Sequence, residues 1–407
     1  MTLKFSSKEI HFLKTDSDDS SISPPETYFS DMLLDKPVQI QAFEKRLLKS
    51  ATHTDRFLCA VIKISADLSD TLAEKAKGTV EATFASFLDH DRGIWESLSD
   101  TAFTLAFWDY TNEKKAFETL VSIKEKIQAS LKADILMGVA QFPFHTFSKV
   151  DTFANALKAI DHAAFFGPDT LTRFDGVSLN ISADRLYQNN LCELAIKEYQ
   201  TGLEIRPNDI NLINSLGVCY GVMGELDKAL EQFKKAMEIN PNEIMVIYNM
   251  GLLSKINMDT DKAIVYLRKA HGISSQVFEV ELLLAHLLAS RHKTDQALVH
   301  LKTAEQINPR SGLVFRMKGD IYLEKNQPEK AARAFNSAIK LHPSDAVSLS
   351  GYAKSLALQG KNLKIALTFA KNSVDLEPDN KTFKNRLNFI QTKIEETAPP
   401  EQTTKTA

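Results

Sequence analysis

The side chains best suited to chemistry crowd one stretch of the chain: His90, Asp91, Asp100 and Asp109. Carboxylates in a group can hold a divalent metal, and an imidazole can serve as general base near neutral pH. Carboxylates in loops are ordinarily solvated, however, and these four share no fixed spacing. His145 and His162 stand apart from them, in contexts that suit packing or exposure better than proton transfer. Cys59, Cys192 and Cys219 are widely separated and form no C-x-x-C pair, which argues against a zinc site or disulfide framework and fits a reducing cytoplasm. Each reads as a small buried hydrophobe. The chain carries no phosphate loop, nucleophile elbow or H-E-x-x-H word. From these residues we assign no catalytic residue, metal or cofactor.

The elements around that stretch alternate in type. Phe57–Ile64 is a short apolar run rich in β-formers and reads as a buried strand. Thr71–Leu88 is helical, and Trp95–Leu98 and Ala102–Trp108 read as strands joined by a tight turn at Ser99–Asp100. Lys114–Leu131 is an amphipathic helix, Ile135–Phe142 a strand, Thr152–Phe166 a helix and Leu171–Phe174 a last short strand. The order β-α-β-β-α-β is ferredoxin-like at its centre, so residues 27–175 are expected to form an α+β domain. A lead-in helix over Tyr28–Leu48 would set Phe43, Leu47 and Leu48 on one face. Residues 1–26 contain the acidic, proline-ended stretch Asp16–Pro25 and read as a disordered arm.

This order and several local words resemble the GGDEF domain of diguanylate cyclases. Ala156, Ala159, Ala163 and Gly167 match its late helix, Gly138-Val139-Ala140 one of its strands, and Thr172-Arg173-Phe174-Asp175 its closing strand. The resemblance places the catalytic hairpin at Ser99, Asp100, Thr101, Ala102 and Phe103, where only the phenylalanine survives. Glycines that let backbone approach a nucleotide are missing. The metal-binding acidic residue is replaced by Thr101 and the next by Ala102. Lys63 and Ser65 stand where a second metal carboxylate is expected, and a lysine there would repel magnesium. His90-Asp91-Arg92-Gly93 does not match the family's product-inhibition word R-x-x-D. Cyclase chemistry needs both carboxylates, so the resemblance implies a domain without turnover.

The rest of the chain is periodic. Alanine recurs at 195, 229, 263, 297 and 331, always 34 residues apart, within a helix–turn–helix pattern. Ile210–Glu243 carries Leu216, Gly217, Tyr220, Ala229, Phe233, Ala236 and Pro241; Gly312–Asp345 repeats it with Gly319, Tyr322, Ala331, Phe335, Ala338 and Pro343. These words and their period identify tetratricopeptide repeats, an all-α superhelical solenoid over 176–379 with units 176–209, 210–243, 244–277, 278–311, 312–345 and 346–379. Glycine within a helix costs about 1 kcal/mol, so Gly217 and Gly319 imply close approach of the second helix. The turn near Gly360–Asn362 holds one extra residue. Residues 380–396, with Phe383, Leu387 and Ile390 at helical spacing, read as a capping helix, and 397–407 as a disordered tail.

The family geometry implies a concave groove lined by Asn211, Asn214, Met245, Tyr248, Asn249, Leu252, Leu282, His286, Arg316 and Asp320. Asparagine both donates and accepts, which suits recognition of an extended peptide's main chain. The family groove for an acidic chaperone tail uses cations, and Asn180, Asp184, Ser215, Met245 and Asn249 at those places supply none. The net charge is −3 with both signs interspersed, so no basic stripe points to nucleic acid. No run approaches a membrane span, and no leader pattern opens the chain, so a cytoplasmic protein is expected. Together these features suggest a non-enzymatic adaptor in bacterial signalling. Its groove takes a protein or peptide, and its first domain serves as a docking or homodimerisation module. The alternative is a sensor of GTP or a cyclic dinucleotide without turnover.

Overall fold

The computed structural model describes residues 28–65, 70–88, 91–108, 110 and 112–397. The arm expected over 1–26, residues 398–407 of the expected tail, His90 and Asp109 lie outside them. The described residues form two compact units, 28–240 and 241–397.

The first unit is built on a five-stranded sheet. Its strands are β1 (Phe57–Ser65), β2 (Gly93–Ser97), β3 (Ala102–Trp108), β4 (Asp134–Phe142) and β5 (Leu171–Arg173). They lie in the order β2-β3-β1-β4-β5, with β1 antiparallel to both neighbours and β5 parallel to β4. The helices are α1 (Met32–Asp35), α2 (Val38–Ser50), α3 (Asp70–Phe87), α4 (Glu113–Leu131) and α5 (Asp151–Ala164). A strand sends alternate side chains to opposite faces, and β1 is apolar on both. Phe57, Cys59 and Val61 pack with Ile40, Phe43 and Leu47 of α2 and with α5; Leu58, Ala60, Ile62 and Ile64 pack with α3 and α4. The sheet is therefore covered on both sides. At Gly138 of β4 the backbone of α5 comes so near that a Cβ would stand 2.1 Å from the Ile160 nitrogen and 2.5 Å from the Ala156 oxygen.

The lead-in segment departs from a single helix. A 3₁₀ turn at Phe29–Asp31, α1 and α2 are separate pieces, and Lys36 at φ 39° precedes Pro37, which opens α2. Proline disfavours helical geometry in the residue before it, so the break falls where the sequence dictates. Leu48 turns outward at 36% exposure, and Ile40 takes the place on the buried face beside Phe43 and Leu47. Asp161 of α5 secures the segment: its two carboxylate oxygens accept the N–H groups of Phe29 at 2.6 Å and Ser30 at 2.8 Å. Burial nevertheless pushes this carboxyl up to about 7.

Helices α6 (Gly176–Gln188), α7 (Cys192–Ile205), α8 (Ile210–Val222) and α9 (Leu226–Ile239) complete the first unit. Asp175 caps α6 by accepting the N–H groups of Val177 and Ser178, and His162 of α5 lies 3.1 Å from the Ser178 hydroxyl. Leu179 of α6 joins the core of the sheet, Arg185 forms a bidentate pair with Asp31, and Lys158 reaches Glu198 at 2.6 Å. The first helix pair is thus packed directly on the sheet.

The second unit holds α10 (Ile244–Ile256), α11 (Thr260–Ile273), α12 (Phe278–Ser290), α13 (Thr294–Ile307), α14 (Gly312–Glu324), α15 (Pro328–Leu341), α16 (Ala346–Leu358), α17 (Leu363–Leu376) and α18 (Lys381–Thr397). The glycines of the pattern have a packing cause. A Cβ at Gly319 would lie 2.7 Å from the Phe335 ring; in the first unit Gly217 meets Phe233 at the same distance. The second helix of each pair stops two residues before Pro207, Pro241, Pro309, Pro343 or Pro378, and α11 stops in the same register before Ser275. Packing therefore sets the stop even where proline is missing. Phe383 and Ile390 of α18 are buried at 3% and 0% exposure, so α18 covers the last apolar face.

Each turn inside a helix pair uses a left-handed residue at one fixed register: Asn190, Gly224, Met258, His292, Asn326 and Gly360, all with φ between 51° and 81°. The last turn has one more residue than the others, and Asn362 supplies a second left-handed conformation at φ 53°. Glycine and asparagine suit this geometry, whereas an ordinary L-residue there costs about 1–2 kcal/mol. Met258→Gly is therefore expected to raise stability by up to about 1 kcal/mol in urea denaturation. Gly138→Ala should do the opposite and lower it by about 1–3 kcal/mol, since the methyl group meets backbone that cannot rotate away. Unchanged unfolding midpoints would contradict either account.

Candidate functional site

The β2–β3 hairpin is closed by its own side chains. The Ser99 hydroxyl accepts the Ala102 N–H at 3.1 Å, and the Leu98 N–H is donated to the Ala102 carbonyl at 2.8 Å. Ser99 and Asp100 are exposed, Thr101 is half-buried, and Ala102 and Phe103 belong to the core. Lys63 pairs in register with Ala102, and its ammonium lies 5.7 Å from the centre of the Phe29 ring. Asp100 is the one carboxylate within 99–103, and among the described residues no trio of potential metal ligands assembles there. Within 99–103 no second carboxylate stands beside Asp100, and Glu96 on β2 is paired with Arg46 at 3.3 Å.

The ten groove candidates divide between the units. Asn211 and Asn214 belong to the first; Met245, Tyr248, Asn249, Leu252, Leu282, His286, Arg316 and Asp320 belong to the second. Asn214, Tyr248, Asn249 and Leu282 are fully buried, and Leu252 is nearly so at 5% exposure. Asn211, Met245, His286 and Arg316 are half-buried, and Asp320 is exposed. The side chains that solvent reaches in the second unit are therefore Met245 on α10, His286 on α12, and Arg316 and Asp320 one turn apart on α14.

Around Asp320 the structure gathers charge that the repeat pattern does not announce. Arg316 donates to Asp345 at 3.4 Å, Asp345 accepts from the Ser348 hydroxyl at 2.5 Å, and Arg386 of the capping helix donates to the Ser350 hydroxyl at 3.2 Å. Lys354 lies 3.2 Å from the centre of the Phe389 ring, a cation–π contact across α16 and α18. Asp320 is exposed, yet the neighbouring protein impedes solvation of its carboxyl. The poorer solvation raises its carboxyl to about 6, against the pull of Arg386 and Arg316. On α12, desolvation lowers His286 to about 4, with the Lys255 charge adding to the effect, so this imidazole is neutral at physiological pH. Two guanidinium groups, a reluctant carboxylate, hydroxyls and a neutral imidazole can hydrogen-bond a polypeptide, and they do not make a nucleophile–base pair. Arg386 carried no signal in the sequence because it lies beyond the last repeat.

A model of the tetratricopeptide repeat matches residues 211–243, and one of a tetratricopeptide repeat-like domain matches 256–352. These segments are tetratricopeptide repeats. No curated protein matches the chain. Among solved structures the chain is similar to YrrB, described as a TPR protein with an unusual peptide-binding site, at 17% identity over 46% of this chain and 96% of that one, with a TM-score of 0.42. PilF of Pseudomonas aeruginosa is 16% identical over 52% of this chain and 95% of that one, with a TM-score of 0.48. No described helix is long and apolar enough to cross a membrane.

The Asp320 carboxyl gives a test of this environment. The folded chain holds a proton there up to about pH 6, while an ordinary aspartate in the unfolded chain loses it near 3.8, so ionising Asp320 costs stability as pH rises between these values. Asp320→Asn removes that cost. Relative to the wild type, the variant should gain stability steadily from about pH 4 to about pH 6 and hold the gain above. Urea denaturation across that range measures it; a difference independent of pH would refute the desolvated setting.

Proposed function

We propose that the chain is a non-enzymatic adaptor that holds a protein or peptide partner on its tetratricopeptide repeats. The observation that carries this reading is the set of helix pairs repeated every 34 residues from 176 onward, with one residue added in the last turn, whose interiors are filled by packing while Met245, His286, Arg316 and Asp320 on first helices stay within reach of solvent. Arg316, Asp320, His286 and Met245 are the contact residues we favour, with Arg386 beside them. Arginine is the residue most at home on such a surface, because its fork donates to carboxylates and carbonyls alike. A peptide carrying an acidic side chain or a free C-terminus fits this charge arrangement best.

The first domain we read as a degenerate GGDEF-like module with a docking or dimerisation role. The sheet order β2-β3-β1-β4 supports a ferredoxin-like arrangement, and a hairpin without paired carboxylates supports loss of turnover. The full-length protein and its Arg316→Gln variant, used side by side as baits, test the adaptor reading. Partners recovered with the wild type should weaken by about tenfold in the variant, equivalent to about 1.4 kcal/mol. Equal recovery by both, with unchanged thermal melting, would place binding away from this face.

A further inference from the structure

Glu281 sits at a register, repeating every 34 residues, that the other repeats fill with Leu179, Ile213, Ile247, Phe315 and Leu349. Its side chain is fully buried, at 0% exposure, on the first turns of α12. An ionised carboxylate withdrawn from water is strongly disfavoured unless something compensates it. Two imidazoles do so, one from each flanking helix. His271 near the end of α11 places Nδ1 2.5 Å from one carboxylate oxygen, and His300 in the middle of α13 places Nδ1 2.7 Å from the other. The rings stand 5.0 Å apart and nearly perpendicular, at 82°. Neither histidine recurs in the pattern: the register of His271 holds Leu203, Met237, Glu305 and Ile339, and that of His300 holds Glu198, Gln232, Tyr266 and Ala334.

Three departures from the repeat thus converge on one point, with one ligand atom from each residue and all of these atoms within 4.8 Å of one another. Had the fold needed mere filling at this register, an apolar residue would have served, as it does in five other repeats. Two imidazole nitrogens and a carboxylate are instead the donor set that suits zinc, with bonds of about 2.0–2.2 Å and a fourth position left to water or a ligand. The side is open, since His271 is 38% exposed while His300 and Glu281 are enclosed at 14% and 0%. Packing of α11, α12 and α13 holds the three ligands on rigid elements, which lowers the entropy cost of assembling them.

We propose that His271, Glu281 and His300 form a zinc site with three protein ligands and an open fourth position. Zinc bound there would clamp α11, α12 and α13 together, and its open position would accept a carboxylate, imidazole or thiolate from a partner.

The test uses untagged full-length protein stripped with a chelator and then titrated with zinc against a chromophoric competitor. One tight zinc per chain is expected, together with a raised melting temperature and, on replacement by cobalt, the intense visible bands of tetrahedral coordination. His271→Gln and His300→Gln should each weaken zinc by at least about tenfold, the loss that even an outer-shell change can cause. Glu281→Leu restores the residue type of the other repeats, so it should fold, melt at least as high as the zinc-free wild type, and lose the zinc-dependent rise. Absence of binding by the wild type would overturn the site. So would a zinc affinity shared by the wild type and Glu281→Leu.

Discussion

A pair of short antiparallel helices has an apolar face that its own residues cannot cover, and the architecture from Gly176 onward answers to that constraint. Gly319 lets the Phe335 ring fill the space between α14 and α15, and Gly217 does the same for Phe233. With the interior of each pair fixed, the remaining faces must be covered by neighbours. In the first unit Leu179 enters the core of the sheet; in the second Phe383 and Ile390 of α18 cover the apolar face of the last helix pair. The registers spent on packing are closed to chemistry. That is why the polar residues that interrupt them, Glu281 above all, stand out.

Much of this was legible in the residues. The strand Phe57–Ser65 showed as an apolar run because both of its faces are buried, and the helix pairs showed through alanine at a fixed period. The extra residue near Gly360–Asn362 is present where the spacing put it. Accessibility was harder to read. Asn214 and Asn249 sit on first helices at registers assigned to a groove, yet both are enclosed, because sequence period fixes a direction around the helix and not the depth of what surrounds it. Pro37 was visible, and its effect on a continuous helix was still missed. Contacts between residues far apart in the chain left no local trace. Asp161 binding Phe29 and Ser30 spans more than 130 positions, and the histidines beside Glu281 lie 10 and 19 residues from it on different helices.

The distribution of charge separates the two candidate surfaces. The turn of the β2–β3 hairpin offers one carboxylate, Asp100, with Glu96 on β2 paired to Arg46 and Lys63 in register with Ala102. The Asp320 neighbourhood offers paired guanidinium groups and hydroxyls spread over three helices, so its capacity is for holding rather than transforming. Both follow from side-chain type at fixed places.

Leu179 belongs to a repeat helix by register and to the sheet's interior by contact, and the Arg185–Asp31 and Lys158–Glu198 pairs bind the same two parts. A fragment cut at residue 176 would strip the sheet of part of its lining and leave the array with a raw apolar end. Dissection of this chain should therefore cut elsewhere, and the sheet with its first helix pair should melt in one cooperative transition. The boundary that a reader draws between a domain and a repeat is, for folding, an interior.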